Sequence, residues 1–272
     1  MNPAPGKAPE HGQSVVLPPL HPNVDTAALI DRFAPITLKE MDSVKLQNRV
    51  DTKYVLSERQ LPALLQALSA HYRVLEVDGK RGTRYRSLYF DTADLKHYRD
   101  HHNKRTFRSK VRFREYLGSG LVYLEVKRKT GTGRTDKARQ RVDRIPDALT
   151  PEQQRFVREA SHSEAALQPA LWNHFTRYTF VAKAGTERLT LDIDLRYSDP
   201  HGTGSLGGIV VAELKQPRAD RQSPFVQQMR RMGIRPSGMS KYCVGMLTLG
   251  RRVKHNAFKE VLLKLERIRQ AA

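Results

Sequence analysis

The sequence predicts an α+β fold: a mostly antiparallel β-barrel of about eight strands that encloses a tunnel, with flanking packing helices. Three observations predict it. The hydrophobic period changes from helical to two along residues 84–216. Most connections between the period-two segments are short, which suits antiparallel neighbours. Along most segments cations alternate with apolar residues, so one face of each strand is a row of Lys and Arg.

Residues 1–24 carry Pro3, Pro5, Pro9, Pro18, Pro19 and Pro22 without a continuous apolar stretch, which predicts a disordered tail and argues against a secretory signal. Residues 25–272 are read as a single domain. Asp51–Leu56 is the first strand. From Ser57, residues Leu61, Leu64, Leu65 and Leu68 recur at helical spacing behind a Ser57–Gln60 capping box, predicting a helix that ends near Ala70.

Strands follow at Arg84–Asp91, Phe107–Tyr116, Leu121–Lys129, Arg139–Asp143, Phe175–Lys183, Glu187–Arg196 and Gly208–Gln216. Apolar residues at helical spacing predict packing helices over Ser223–Met232 and Ala257–Arg269. Gly131–Thr135 and Pro200–Gly208 read as Gly-rich turns; neither links a strand to a helix with the spacing of a phosphate-binding loop. His97, His101 and His102 are expected in a solvated polar connection, and Asp91 in a structural role. Cys243 is expected to be buried filler. Trp172 is expected to anchor the core, with stacking on an adenine as the alternative.

Composition narrows the partner to an anion. The 272 residues include 48 Lys and Arg against 28 Asp and Glu, a net charge of +20. Nucleic acid, anionic lipid and phosphate compounds all meet that requirement. Aromatics are only 7% of the chain and no helix carries a dense basic face, which argues against nucleic acid. The single cysteine precludes an intrachain disulfide, and no stretch is long and apolar enough to span a membrane, so a cytoplasmic protein is expected, with a peripheral place at the inner face of a membrane through a partner as the alternative.

Strand parity places the charges. Arg108, Lys110, Arg112 and Arg114 share one face, with Phe107, Val111 and Phe113 on the other. Tyr123, Glu125, Lys127 and Lys129 fall together, as do Arg139 and Arg141, then Arg188, Asp192 and Asp194, then Glu213 and Lys215. A solvated sheet also alternates in this way, so one strand decides little. Repeated on most strands, such rows would repel one another across the sheet unless a polyanion lay between them. An eight-stranded barrel with its polar faces inward leaves room for one narrow linear ligand.

Nine segments, in order, carry a family resemblance: Arg49-Val-Asp-Thr-Lys-Tyr54, Ser87-Leu-Tyr-Phe-Asp91, Lys110-Val-Arg-Phe-Arg-Glu-Tyr116, Leu124-Glu-Val-Lys127, Lys137-Ala-Arg139, Arg177 in Phe-Thr-Arg-Tyr, Arg188-Leu-Thr-Leu-Asp192, Glu213-Leu-Lys215 and Ser240-Lys-Tyr242. Together they resemble the VTC domain, the polyphosphate polymerase domain of the vacuolar transporter chaperone complex, which is related to the CYTH triphosphate-tunnel proteins.

The resemblance implies a triphosphate-tunnel fold in which the γ-phosphate of ATP passes to a growing polyphosphate chain with Mn²⁺ or Mg²⁺. By that resemblance Lys53, Arg112 and Arg114 are expected to be catalytic. Arg49, Lys110, Lys127, Lys137, Arg139, Arg177, Arg188, Lys215 and Lys241 are expected to contact phosphate, as phosphoryl transfer asks for cations around the nonbridging oxygens. Glu213 is the expected metal ligand, and Glu125 either assists it or holds Lys127 in place. Asp192 and Asp194 are expected to orient cations through salt bridges.

The chain departs from CYTH triphosphatases at their opening Glu-x-Glu-x-Lys motif, which here reads Arg49-Val-Asp51-Thr-Lys53. Arginine at the first carboxylate removes a metal ligand and adds a phosphate clamp, tilting the expectation from hydrolysis to transfer. A CYTH-like triphosphatase and a non-catalytic polyphosphate-binding module stay as alternatives. Export of a product would need a separate membrane protein.

Overall fold

The computed structural model describes residues 24–42, 49–131 and 135–270. The expected tail lies outside the described residues except for Val24, which opens helix α1 (Val24–Asp31). A two-residue strand β1 (Pro35–Ile36) and helix α2 (Leu38–Asp42) follow. Strand β2 (Val50–Ser57) then leads into a 3₁₀ turn over Glu58–Gln60. The capping box forms as expected: the Arg59 N–H donates to Ser57 Oγ at 3.3 Å, and the Ser57 N–H to Gln60 Oε1 at 3.0 Å. Helix α3 (Leu61–Leu68) continues from the turn, with Pro62 in its first turn, where a missing N–H costs nothing.

The chain continues through β3 (Tyr72–Leu75), β4 (Gly82–Asp91), α4 (Lys96–His102), β5 (Arg108–Tyr116), β6 (Leu121–Lys129), β7 (Thr135–Val142), α5 (Pro151–Ser161), β8 (Gln168–Ala182), β9 (Arg188–Asp199), β10 (Gly202–Ser205), β11 (Ile209–Gln216), α6 (Pro224–Arg231), α7 (Lys241–Thr248) and α8 (Lys259–Gln270).

All eight expected strands form, and they make one continuous path, β2-β11-β9-β8-β4-β5-β6-β7, antiparallel at every step. The sheet curls into a tunnel without closing into a hydrogen-bonded barrel, because β2 and β7 end the path unpaired with each other. Side chains bridge the seam instead, with Lys137 Nζ on β7 3.8 Å from Asp51 Oδ2 on β2.

The outer faces bury their alternate apolar residues under helices. Tyr54, Leu56, Val210, Ala212 and Leu214 pack against α1, α3 and α6. Val111, Phe113, Leu124 and Val126 pack under α5. Helix α5 starts on its own capping box, Thr150 with Gln153, and Pro151 at its first position.

The concave face is divided along the strands. Val55, Ile209 and Val211 share a face with Lys53, Glu213 and Lys215, yet they belong to an apolar cluster with Tyr242, Cys243, Val244 and Met246 of α7 and Leu265 of α8. Helix α7 therefore fills one half of the interior and leaves the other half to the cations. Gly245 permits this: a Cβ there would meet Tyr197 Cδ1 at 2.5 Å and Leu171 Cδ2 at 2.7 Å.

Several expectations are corrected. His97 and His102 are buried on α4, not solvated. Residues 202–205 of the expected turn Pro200–Gly208 form β10, paired with β9. Residues 132–134 of the other expected turn lie outside the described residues. Phe107, read as sharing the apolar face of Val111 and Phe113, is 66% exposed. Among the described residues no helix is long and apolar enough to cross a membrane.

Candidate functional site

A cleft of about 520 Å³ runs along the cationic half of the interior. Eleven Lys and Arg side chains line it against four carboxylates, an excess of seven positive charges. Period-two strands deliver them: Lys53 from β2, Lys110, Arg112 and Arg114 from β5, Lys127 from β6, Lys137 and Arg139 from β7, Arg177 from β8 and Lys215 from β11. Arg49 precedes β2, and Lys241 enters from the first position of α7, whose N-cap is Ser240.

Each of the four carboxylates holds two of the cations. Glu125 Oε2 lies 2.6 Å from Arg112 Nη2 and 3.7 Å from Arg114 Nε. Asp192 accepts a fork from Arg177, Nε to Oδ1 at 2.6 Å and Nη2 to Oδ2 at 2.7 Å, and its Oδ2 also accepts from Lys241 Nζ. Glu213 lies 2.9 Å from Lys53 Nζ and 2.5 Å from Lys215 Nζ. Asp51 lies 2.9 Å from Arg49 Nε and 3.8 Å from Lys137 Nζ. These crossbars fix the spacing of the cations while leaving most of their charge uncompensated.

Lys110 and Lys127, neighbours in the β5–β6 ladder, have no described carboxylate within 4 Å; Lys110 Nζ donates to Ser240 Oγ at 2.8 Å. Burial, added to by nearby lysines, lowers the Lys110 ammonium to about 8, and the more exposed Lys127 is shifted in the same direction by desolvation and by the neighbouring Lys53 and Lys137. Burial likewise lowers Lys241 to about 8, against the pull of Asp192. The carboxylates go the other way. Burial alone would raise them, but Arg112 and Arg114 hold Glu125 down at about 2, and the lysines on Glu213 and the cations on Asp192 hold those two well below the usual range.

Aromatic faces support the guanidiniums from behind. Arg114 and Arg177 lie 5.3 and 5.4 Å from the Tyr85 centroid, Lys241 4.6 Å from Phe175, and Arg139 5.1 Å from Tyr123. Arg112 also donates to Tyr89 Oη at 3.1 Å. Sequence reasoning passed over Tyr85, Tyr89 and Phe175, although Tyr85 and Tyr89 sit four apart on one strand and so share a face.

Arg188 is the expected contact that the structure leaves out. It does not line the cleft, and its guanidinium donates to the Met41 carbonyl at 3.1 Å. Glu125 holds arginines and not Lys127. Asp194 leaves the tunnel face because the β8–β9 register shifts between His174 and Thr176; its backbone takes φ 53°, and it pairs with Arg196 at 2.6 Å. Trp172 is not among the cleft residues and lies under the Arg86 guanidinium, 5.3 Å away. Asp91 is buried and structural: it accepts from the N–H groups of Thr92, His97 and Tyr98 and from Tyr242 Oη.

Among the described residues no three His, Cys, Asp or Glu side chains gather into a metal-holding group. A hard divalent ion shared with phosphates needs only one or two protein carboxylates. Glu213, facing the cleft between two lysines, suits that use; Glu125, clamped by two guanidiniums, suits it less.

The family model described as the VTC domain matches residues 48–250. Among solved structures, a Hippeastrum protein described as a candidate adenylyl cyclase with dominant triphosphatase activity aligns at 18% identity over 76% of this chain and 99% of its own, with a TM-score of 0.47. A candidate adenylate cyclase from Vibrio parahaemolyticus aligns at 13% identity over 74% of this chain and 99% of its own, with a TM-score of 0.42. Comparison with curated proteins gave no match.

Proposed function

The chain belongs to the VTC domain family, and from that premise we propose that it is a polyphosphate polymerase that moves the γ-phosphoryl group of ATP onto a polyphosphate chain held in the cleft. The observation that carries this reading is the paired arrangement of the cleft. Four carboxylates each tie two cations, and seven positive charges remain for a ligand whose charge repeats along a line.

In the transfer, a terminal oxygen of the chain bonds to the γ-phosphorus of ATP, and the bond to the β,γ-bridging oxygen breaks, releasing ADP. Such a reaction takes little covalent help from protein; it requires in-line positioning and stabilisation of charge on the nonbridging oxygens. Arg112, Arg114 and Arg177, braced by carboxylates and aromatic rings, are suited to grip those oxygens as forks. Lys53 and Lys215 release Glu213 as they turn to phosphate. Glu213 is the residue that would hold Mn²⁺ or Mg²⁺, which would supply charge neutralisation between adjacent phosphates.

Triphosphate hydrolysis in the same cleft is the competing reading, motivated by Asp51, Lys53, Glu125 and Glu213. Against it, Asp51, the carboxylate that stands in the triphosphatase motif, is ion-paired with Arg49 at 2.9 Å. Purified protein incubated with ATP and Mn²⁺ separates the two. Polymer that disappears with Lys53→Ala supports synthesis, whereas free phosphate without polymer supports hydrolysis. We further propose a cytoplasmic setting, with any export left to a separate membrane protein.

A further inference from the structure

Strands β5 and β6 run past the Lys110–Lys127 pair to Arg108 and Lys129, which face each other two residues farther along the ladder. Beyond Arg108, the chain between α4 and β5 turns through Lys104, which takes a left-handed backbone with φ 54°, a conformation residues with side chains seldom adopt. The turn presents Phe107 to solvent, at 66% the most exposed large hydrophobic side chain among the described residues. Its ring rests on Gly131, two residues past the end of β6: a Cβ added there would come 3.0 Å from Phe107 Cζ. The ring is thus propped outward on backbone, with Lys104 and Arg105 exposed beside it.

We propose that this tip, Phe107 with Lys104, Arg105, Arg108 and Lys129, docks on an anionic phospholipid surface. A single exposed aromatic ring is too small for the core of a protein interface. A ring flanked by cations matches the boundary where acyl chains meet anionic headgroups: the ring enters the boundary and the cations pair with phosphate. Docking by this tip brings the Lys110–Lys127 end of the cleft next to the bilayer. The surface stands on its own residues, whatever reaction the cleft performs.

The full chain is sedimented with phosphatidylglycerol-containing vesicles and with pure phosphatidylcholine vesicles. Phe107→Ser should weaken partitioning to the anionic vesicles roughly fivefold or more, and Arg105→Ser about fivefold. Arg230→Ser, which removes an exposed cation of α6, should change it less than about twofold. Equal losses from all three substitutions would reveal non-specific adsorption of a basic protein and overturn the proposal, as would no loss from Phe107→Ser. In a Trp172→Phe background, Phe107→Trp should show a blue-shifted emission quenched by brominated lipid. An unshifted, unquenched tryptophan would overturn it as well.

Discussion

Asp192 and Arg177 meet as a two-pronged ion pair, Nε to Oδ1 at 2.6 Å and Nη2 to Oδ2 at 2.7 Å, with Lys241 as a third member on the same carboxylate. The pair joins neighbouring strands and draws the start of α7 onto them. Asp192→Asn would leave two buried cations without their counter-charge, at a cost of about 3–5 kcal/mol. A phosphate can replace the missing charge. Thermal unfolding should therefore show a destabilised variant that tripolyphosphate rescues by a larger shift than it gives the wild type.

The depressed carboxylates set the acid limit of the fold. Glu125 titrates at about 2 in the folded protein against 4.5 in its absence, so its stabilisation is present above the unfolded value and disappears as pH falls from about 4.5 towards 2. The effect is about 3 kcal/mol. Acid titration followed by circular dichroism should show a steep loss in that window. The loss should be shallower in Glu125→Gln, compared from that variant's own lower starting stability.

The buried lysines behave in the opposite sense. Lys110 and Lys241 titrate at about 8 when folded against 10.5 otherwise, so the folded state binds fewer protons between those values and the empty protein gains stability as pH rises through them. Phosphate affinity follows the charge and should fall above about pH 8. Calorimetric titration with tripolyphosphate over that range should show affinity declining while the melting temperature of the empty protein rises.

Gly245 sets how closely α7 approaches the sheet. Gly245→Ala places a methyl group against Tyr197 and Leu171, costing about 1–3 kcal/mol and pushing the helix outward. Because Lys241 and Ser240 lie at the start of that helix, tripolyphosphate binding should weaken along with stability. Unchanged binding in a destabilised variant would detach α7 from the site.

Much of the site is legible because strand parity is local. Lys110, Arg112 and Arg114 need only alternate on β5, and Glu213 and Lys215 follow in the same way on β11, whereas Lys53 is legible through the family resemblance. Parity fails where the backbone breaks it, as at Asp194, whose bulge no residue type announces. It also cannot say what fills a concave face: Val55, Ile209 and Val211 look like any strand residues, and only the fold sets α7 against them. Helix α5 is a different case, since its Thr150–Gln153 capping box and Pro151 are plain in the sequence.

In the proposed polymerase reading Arg49 carries the distinction between transfer and hydrolysis, since it engages Asp51 at 2.9 Å. Arg49→Glu supplies a carboxylate where the triphosphatase motif has one. That variant should make less polymer and release more free phosphate from ATP; an unchanged product ratio would remove Arg49 from the account.

The most direct test of the cleft as the phosphate site is a crystal structure of the protein with a linear phosphate oligomer. The account predicts successive phosphates along the cleft between the Arg112–Arg114 wall and the Lys53–Lys215 wall, with Arg177 and Lys241 turned towards them. An oligomer bound elsewhere on the basic surface, with all four carboxylate crossbars intact and the cleft filled only by water, would contradict it.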